Sequence, residues 1–229
     1  MTQKTIRVLL FLLLLSGTTY GQDLSVLTEA QREEFNYYKH LQLQAYELLS
    51  ARQEKMATLT NPEAIRKYQE GLRSEFTQAL GGFPKRSNLN SRMIKRTELK
   101  EYSIENIIFE SQPNHHVTGN MYLPYGDGPF PVVVVSSGHS RTAKLADYNQ
   151  RFGIRMATLG IASFVFDPIG QGERSQVVTP EKEPLFSGTT TEHFLMGVSS
   201  ILVGRNTATY RIWDAMRAID YVCSRDDID

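Results

Sequence analysis

Two short loops hold the residue types in this chain that could do chemistry. The first is Ser136-Ser137-Gly138-His139-Ser140; the second is Asp167-Pro168-Ile169-Gly170-Gln171-Gly172-Glu173-Arg174. Each leaves an apolar, β-branched run, PVVVV before the first and IASFVF before the second. In open α/β sheets function gathers at the carboxyl ends of the strands, so these loops raise the question of nucleophilic acyl transfer. That chemistry needs a serine on a sharp strand-to-helix turn, G-x-S-x-G, with an acid and a histidine further along the chain. No serine here has both flanking glycines. Ser136 and Ser137 end a strand, Ser199 and Ser200 fall inside a predicted helix, and Ser224 sits at a helix end.

The elements that would position the loops are legible from periodicity. Two β-branched runs flanking RTAKLADYNQRFGIRMATLG read as a parallel β-α-β unit buried on both faces, with a helix over residues 141–160. On that helix Tyr148, Phe152, Met156 and Leu159 form one face, with Gly160 at its C-cap. Ahead of the unit, residues 102–109 and the alternating Val117, Gly119, Met121 and Leu123 predict an antiparallel hairpin turning at residues 111–114. After it come an irregular excursion over 176–190, a helix over 191–203, and a last helix capped by Asn206. Its predicted buried stripe is Ile212, Trp213, Met216, Ile219 and Val222, with Asp214 and Arg217 pairing on the outer face.

Residues 22–82 read as two helices. Thr28-Glu29-Ala30-Gln31 fits a capping box, followed by Tyr38, Leu41, Ala45, Leu48 and Leu49 at helical spacing. The second has Asn61 as cap, Pro62 at its first position and an apolar face of Ile65, Tyr68, Leu72, Phe76 and Leu80. Both faces are expected to pack into a core. Residues 85–100 are polar and basic and read as a linker.

Antiparallel strands followed by strand, helix, strand and helix are the opening order of the α/β-hydrolase superfamily. SSGHS after one strand and DPIGQGERS after the next resemble the secreted acetyl xylan esterases and related carbohydrate esterases, and more distantly the prolyl oligopeptidase-like peptidases. The resemblance covers residues 101–229 and implies an α/β fold: the N-terminal part of an α/β-hydrolase sheet preceded by a helical hairpin. It implies that the backbone N–H of His139 serves an oxyanion hole, with Gly138 allowing close backbone approach. Ser137 stands where the family carries a histidine. Asp167, Gln171, Gly172 and Arg174 would brace the site, Asp167 as a structural acid and not the triad acid. Arg174 is either in a buried ion pair, in contact with substrate, or in a surface salt bridge. No triad residue is assigned, because the elbow normally follows the strand after the Asn206-capped helix. The chain therefore reads as an α/β-hydrolase domain over 101–229 truncated before its nucleophile.

Composition narrows the classes. Lys+Arg and Asp+Glu are equal at 25, which argues against nucleic acid as a partner. Lys4 and Arg7, the apolar run over 8–15 and a small-residue exit read as a signal peptide over residues 1–21, cleaved before Gln22, too short to span a bilayer. Its loss would leave two acidic residues in excess and an exported protein with no membrane association. Cys223 is the only cysteine, so neither an internal disulfide nor a Cys metal site is possible. His115-His116 and Glu192-His193 raise a metal site, but adjacent histidines diverge on a strand and no H-E-x-x-H occurs; no metal or other cofactor is expected. The functional expectation is part of an exported serine esterase acting on acylated carbohydrate such as xylan, its oligomeric state open. A prolyl oligopeptidase-like peptidase and a non-catalytic exported binding module are the alternatives.

Overall fold

The computed structural model describes residues 24–34 and 36–229; the predicted signal peptide lies outside the described residues. The chain divides between Arg66 and Lys67 into two compact units. The helical region holds α1 (Glu29–Glu34), α2 (Tyr37–Ala57) and α3 (Pro62–Ala79). The capping box at Thr28 forms in both directions, Thr28 N donating to Gln31 Oε1 at 3.0 Å and Gln31 N to Thr28 Oγ1 at 3.3 Å. Asn61 caps α3 through Ala64 N at 2.9 Å. Asn36, not singled out by the sequence pattern, caps α2. The expected core faces stay largely outside: none of the three helices has a buried residue, and of the predicted positions Leu80 alone, just past α3, is buried.

The second unit is built on a five-stranded sheet: β1 (Arg92–Glu98), β2 (Tyr102–Gln112), β3 (His115–Pro124), β4 (Val132–Ser136) and β5 (Ala162–Phe166). Their order across the sheet is β1-β2-β3-β5-β4. All neighbours are antiparallel except β4 and β5, which run parallel from Val132↔Ala162 to Ser136↔Phe166. The predicted hairpin is β2–β3, turning at Pro113 and Asn114, the latter at φ 64°. The supposed linker is corrected here, because residues 92–98 form the outer strand β1. An edge strand pairs on one side only and stays largely exposed, so its sequence can remain basic, which also discourages further pairing.

Helices cover both faces of this sheet. On one, α6 (Thr207–Cys223) packs Ala218, Tyr221 and Val222 against Ile107, Phe109, Met121, Phe164 and Phe166. On the other, Ala157 of α4 (Asp147–Thr158) meets Tyr122 and Val165. The second half of β3 is thus buried on both faces rather than one. The central strand β5 is buried throughout, whereas β4 is only partly covered. The unit predicted to be buried on both faces therefore has one interior strand and one edge strand.

Two helix faces differ from expectation. On α4 the buried residues are Asn149, Gly153 and Ala157, while Tyr148, Phe152 and Leu159 stay exposed. A Cβ on Gly153 would lie 2.5 Å from the Tyr122 ring, so the small residues are what let this helix approach the sheet. On α6 the buried face is Trp213, Asp214, Arg217, Ala218, Tyr221 and Val222, and Ile219 points outward. Asp214 and Arg217 are both inside and do not pair with each other. Asp214 meets Arg174 and His115, while Arg217 meets Asp220 and the Ser87 carbonyl.

Candidate active site

Both loops leave the carboxyl ends of the adjacent parallel strands β4 and β5, so the fold sets them side by side. The first continues through a 3₁₀ turn at Ala143–Lys144–Leu145 into α4. The helix is consequently shorter than the 141–160 span predicted. Residues 141–146 serve the site instead: Ala143 takes φ 42°, and Lys144 turns inward.

Asp167 is the hub. It is fully buried at the end of β5. Its carboxylate accepts from Thr118 Oγ1 at 2.7 Å and from the Lys144 backbone N–H at 3.0 Å. The buried Lys144 ammonium completes an ion pair with it and reaches Glu173 as well. Gly172 is required beside it, since φ is +59° and a Cβ would stand 2.3 Å from Asp167 Oδ1. The Gly172 N–H meanwhile donates to the Arg141 carbonyl at 2.9 Å, tying the second loop to the first.

Arg174 is buried, at 4% exposure, which decides between the expected alternatives in favour of a buried ion pair. Its Nη1 lies 2.8 Å from Asp214 Oδ2 and donates to the Asp167 carbonyl at 2.8 Å; its Nη2 meets His115 Nε2 at 2.9 Å. Burial works to raise the Asp214 pKa. The neighbouring His115, whose Nε2 lies 3.4 Å from Asp214 Oδ1, and the Arg174 charge outweigh it and hold the carboxyl below its ordinary range.

Gln171 joins the two loops. Its Nε2 donates to the carbonyls of Gly138 at 2.7 Å and Ser140 at 3.0 Å, on either side of His139. Among the described residues the His139 N–H donates to no group. Gly138 and His139 are exposed, while Ser137 is buried, its hydroxyl accepting from Asn149 Nδ2 at 2.8 Å. Ser137, in the position where a histidine was expected, therefore secures the first loop to α4.

Helix α5 (Thr189–Leu202) closes one side. Its buried Glu192 accepts from Ser175 Oγ at 2.7 Å and from the Gln176 N–H. His193 packs against His139 with ring centroids 5.2 Å apart. Its pKa falls to about 4, through burial first and then the positive charges of Arg211 and His139. Arg211 on α6 donates to Gln171 Oε1 at 3.1 Å and approaches His193 Nε2 to 2.6 Å.

The five residues named from sequence thus lie in one constellation. Sequence reasoning missed Lys144, Arg211 and the buried role of Asp214, and weighed His115, Glu192 and His193 only for metal binding. Asp214 and Arg217 carried a signal: they share a helical stripe with Ala218 and Tyr221, where charge implies a buried partner. Lys144 carried none, because its partner is 23 residues away.

No family model matches this chain, and no curated protein does. Among solved structures, a protein assigned as an acetyl xylan esterase from Bacteroides fragilis NCTC 9343 is 18% identical. It superposes with a TM-score of 0.56 over 73% of this chain and 45% of its own. A methylesterase is 21% identical, with a TM-score of 0.56 over 77% of this chain and 36% of its own. The chain spans less than half the length of either protein. At such identities the likeness is one of fold: the chain shares an α/β architecture with these esterases, a mixed five-stranded sheet with flanking helices and further helices ahead of it in sequence.

Proposed function

We propose that the chain is the N-terminal portion of an exported serine hydrolase that cleaves carboxylic esters, with acetyl groups on a polysaccharide such as xylan as the substrate class. The observation that carries the reading is the clasp of Gln171 on the Gly138 and Ser140 carbonyls. It fixes the peptide between them and leaves the His139 N–H to a ligand. A tetrahedral intermediate needs such a donor for its oxyanion. Asp167, Gly172 and Arg174 act as braces. The attacking serine, with its acid and histidine, belongs to sequence following Asp229. It would form an acyl-enzyme with release of the sugar hydroxyl, and water would then release the carboxylate. No step asks for a metal or an organic cofactor.

The open side of β4 supports this placement. Phe130 and Ile228 form a parallel bridge there, Phe130 N donating to the Asp227 carbonyl and Asp229 N to the Phe130 carbonyl, each at 2.9 Å. A strand continuing from Ile228 would run parallel to β4 and deliver its carboxyl end beside the Gly138–His139 turn.

The test compares residues 22–229 with the same chain extended by its natural downstream sequence, assayed with p-nitrophenyl acetate. The extended protein is expected to hydrolyse the ester, and residues 22–229 alone to stay at the buffer rate. Downstream sequence without a G-x-S-x-G turn, or full turnover by residues 22–229, would overturn the reading.

A further inference from the structure

Arg211 is a half-buried cation without a counter-charge. Among the described residues it forms no ion pair with a carboxylate. Its Nη2 is spent on three neutral acceptors: Gln171 Oε1 at 3.1 Å, the Ile169 carbonyl at 3.4 Å and His193 Nε2 at 2.6 Å. Its Nε is buried with no hydrogen-bond partner. Burial, and then the neighbouring Arg174 charge, push its pKa down. A cation desolvated in this way is unfavourable unless its field has something negative to act on.

The wiring shows where that field goes. Gln171 is buried and has both ends of its amide engaged, oxygen toward Arg211 and nitrogen toward the Gly138 and Ser140 carbonyls. The opposite amide orientation would set its NH₂ against the guanidinium and its oxygen against two carbonyls, so the partners fix the orientation. The Gly138 carbonyl and the His139 N–H belong to one peptide group. Guanidinium, Gln171 amide and that peptide therefore lie head to tail, each polarising the next in the same sense. The last N–H in the series is the one that no described residue uses.

We propose that Arg211 is a positioning residue that acts through Gln171 to make the Gly138–His139 peptide a stronger anion donor. The inference rests on the ester-hydrolase reading for the identity of the anion, an oxyanion in the intermediate and a carboxylate in the product. Arg211 touches neither. His193 stays neutral and accepts from Arg211, so it helps hold the guanidinium without adding a second charge.

Acetate, the carboxylate product of the proposed reaction, is the probe. It is titrated into the isotope-labelled chain at constant ionic strength while the His139 backbone amide resonance is followed by NMR. Acetate should shift this resonance in the native chain. R211Q should bind acetate about threefold to tenfold more weakly, R211K should retain most of the affinity, and Q171M should lose as much as R211Q although Arg211 is intact. Native affinity in R211Q overturns the relay but leaves the turn as an anion site. Weak binding in R211Q with native affinity in Q171M overturns it too, since the charge would then act without Gln171. If acetate leaves the His139 amide unmoved in the native chain, the oxyanion reading falls and the relay with it. Should R211Q fail to fold, R211K and Q171M carry the comparison.

Discussion

The two loops at the ends of β4 and β5 are built on opposite plans. Residues 167–171 are buried without a break, and the charges of residues 167–174 are met by protein groups around them: Asp167 by Thr118 and Lys144, Arg174 by Asp214 and His115, with Gly170 N bonded to the Arg174 carbonyl. Residues 138 and 139 are exposed, and their order is imposed from outside by Gln171 of the other loop and by Asn149 beneath Ser137. One loop is scaffold; the other is the surface that the scaffold presents. The contrast follows from the partners each loop finds: Lys144 pairs with Asp167 and Asp214 with Arg174, whereas no described residue takes the His139 N–H.

The strongest way to break this contrast is to unpair the scaffold. Asp167→Ala leaves the Lys144 ammonium buried with Glu173, which is largely exposed, as its one remaining acid, and is expected to cost about 3–5 kcal/mol. Urea unfolding measures it. K144M on its own leaves a buried carboxylate held by hydrogen bonds from Thr118 and the backbone N–H groups of residues 144 and 173. The double variant removes both charges and should be more stable than D167A, because the large loss belongs to the orphaned charge and not to the pair itself. A loss under 1 kcal/mol in D167A would mean that Lys144 escapes to solvent, and that the second loop is no more rigid than the first.

What sequence could and could not convey divides along similar lines. The strands β2 to β5 were legible because their apolar runs and alternation reflect burial directly, and the caps at Thr28, Asn61 and Asn206 because each is local chemistry. Gln171, Gly172 and Arg174 stood out as a motif, and all are engaged in the site. The face of α4 was misassigned because close packing there is made by Gly153 and Ala157, so that larger apolar residues such as Tyr148 remain outside; on α6 Trp213 and Val222 of the expected stripe are buried, while Ile219 lies outside and the charged Asp214 and Arg217 lie within. Hydrophobicity patterns weigh large side chains and overlook the small ones that allow approach. The charges that hold the site were illegible for a different reason: Arg174 and Asp214 sit 40 positions apart in sequence, and nothing in either neighbourhood names the other.

A second test titrates the seam between the loops. His193 stays unprotonated in the fold down to about pH 4, against an ordinary value of 6.5. Between these values the unfolded chain binds a proton that the folded one refuses, so stability rises with pH across the window. The contribution is complete above 6.5 and is lost as pH falls toward 4. Asp214, Asp220 and Asp227 are held below their ordinary carboxylate range, so their losses begin beneath this window. H193Q keeps an acceptor for Arg211 and removes the titration. Because His193 is only half-buried, the native chain should lose about 1–2 kcal/mol more than H193Q over that interval. Parallel stability curves would show that α5 does not hold the imidazole against the guanidinium.

The smallest effect should come from the presented loop itself. The His139 ring is exposed and its described contact is the tilted packing on His193, so His139→Ala should change stability by no more than about 0.5 kcal/mol. The donor proposed for catalysis is the backbone N–H, which alanine retains, and the Gln171 clasp holds carbonyls that the substitution leaves in place. Acetate binding by H139A, read at the backbone amide of the substituted residue, should therefore stay within about twofold of the native chain, whereas Q171M at the buried end of the clasp should weaken it as much as R211Q does. The opposite pattern, acetate lost in H139A and kept in Q171M, would make the imidazole the anion ligand. It would also reverse the division of labour, giving the exposed loop its own binding group and reducing the buried loop to packing.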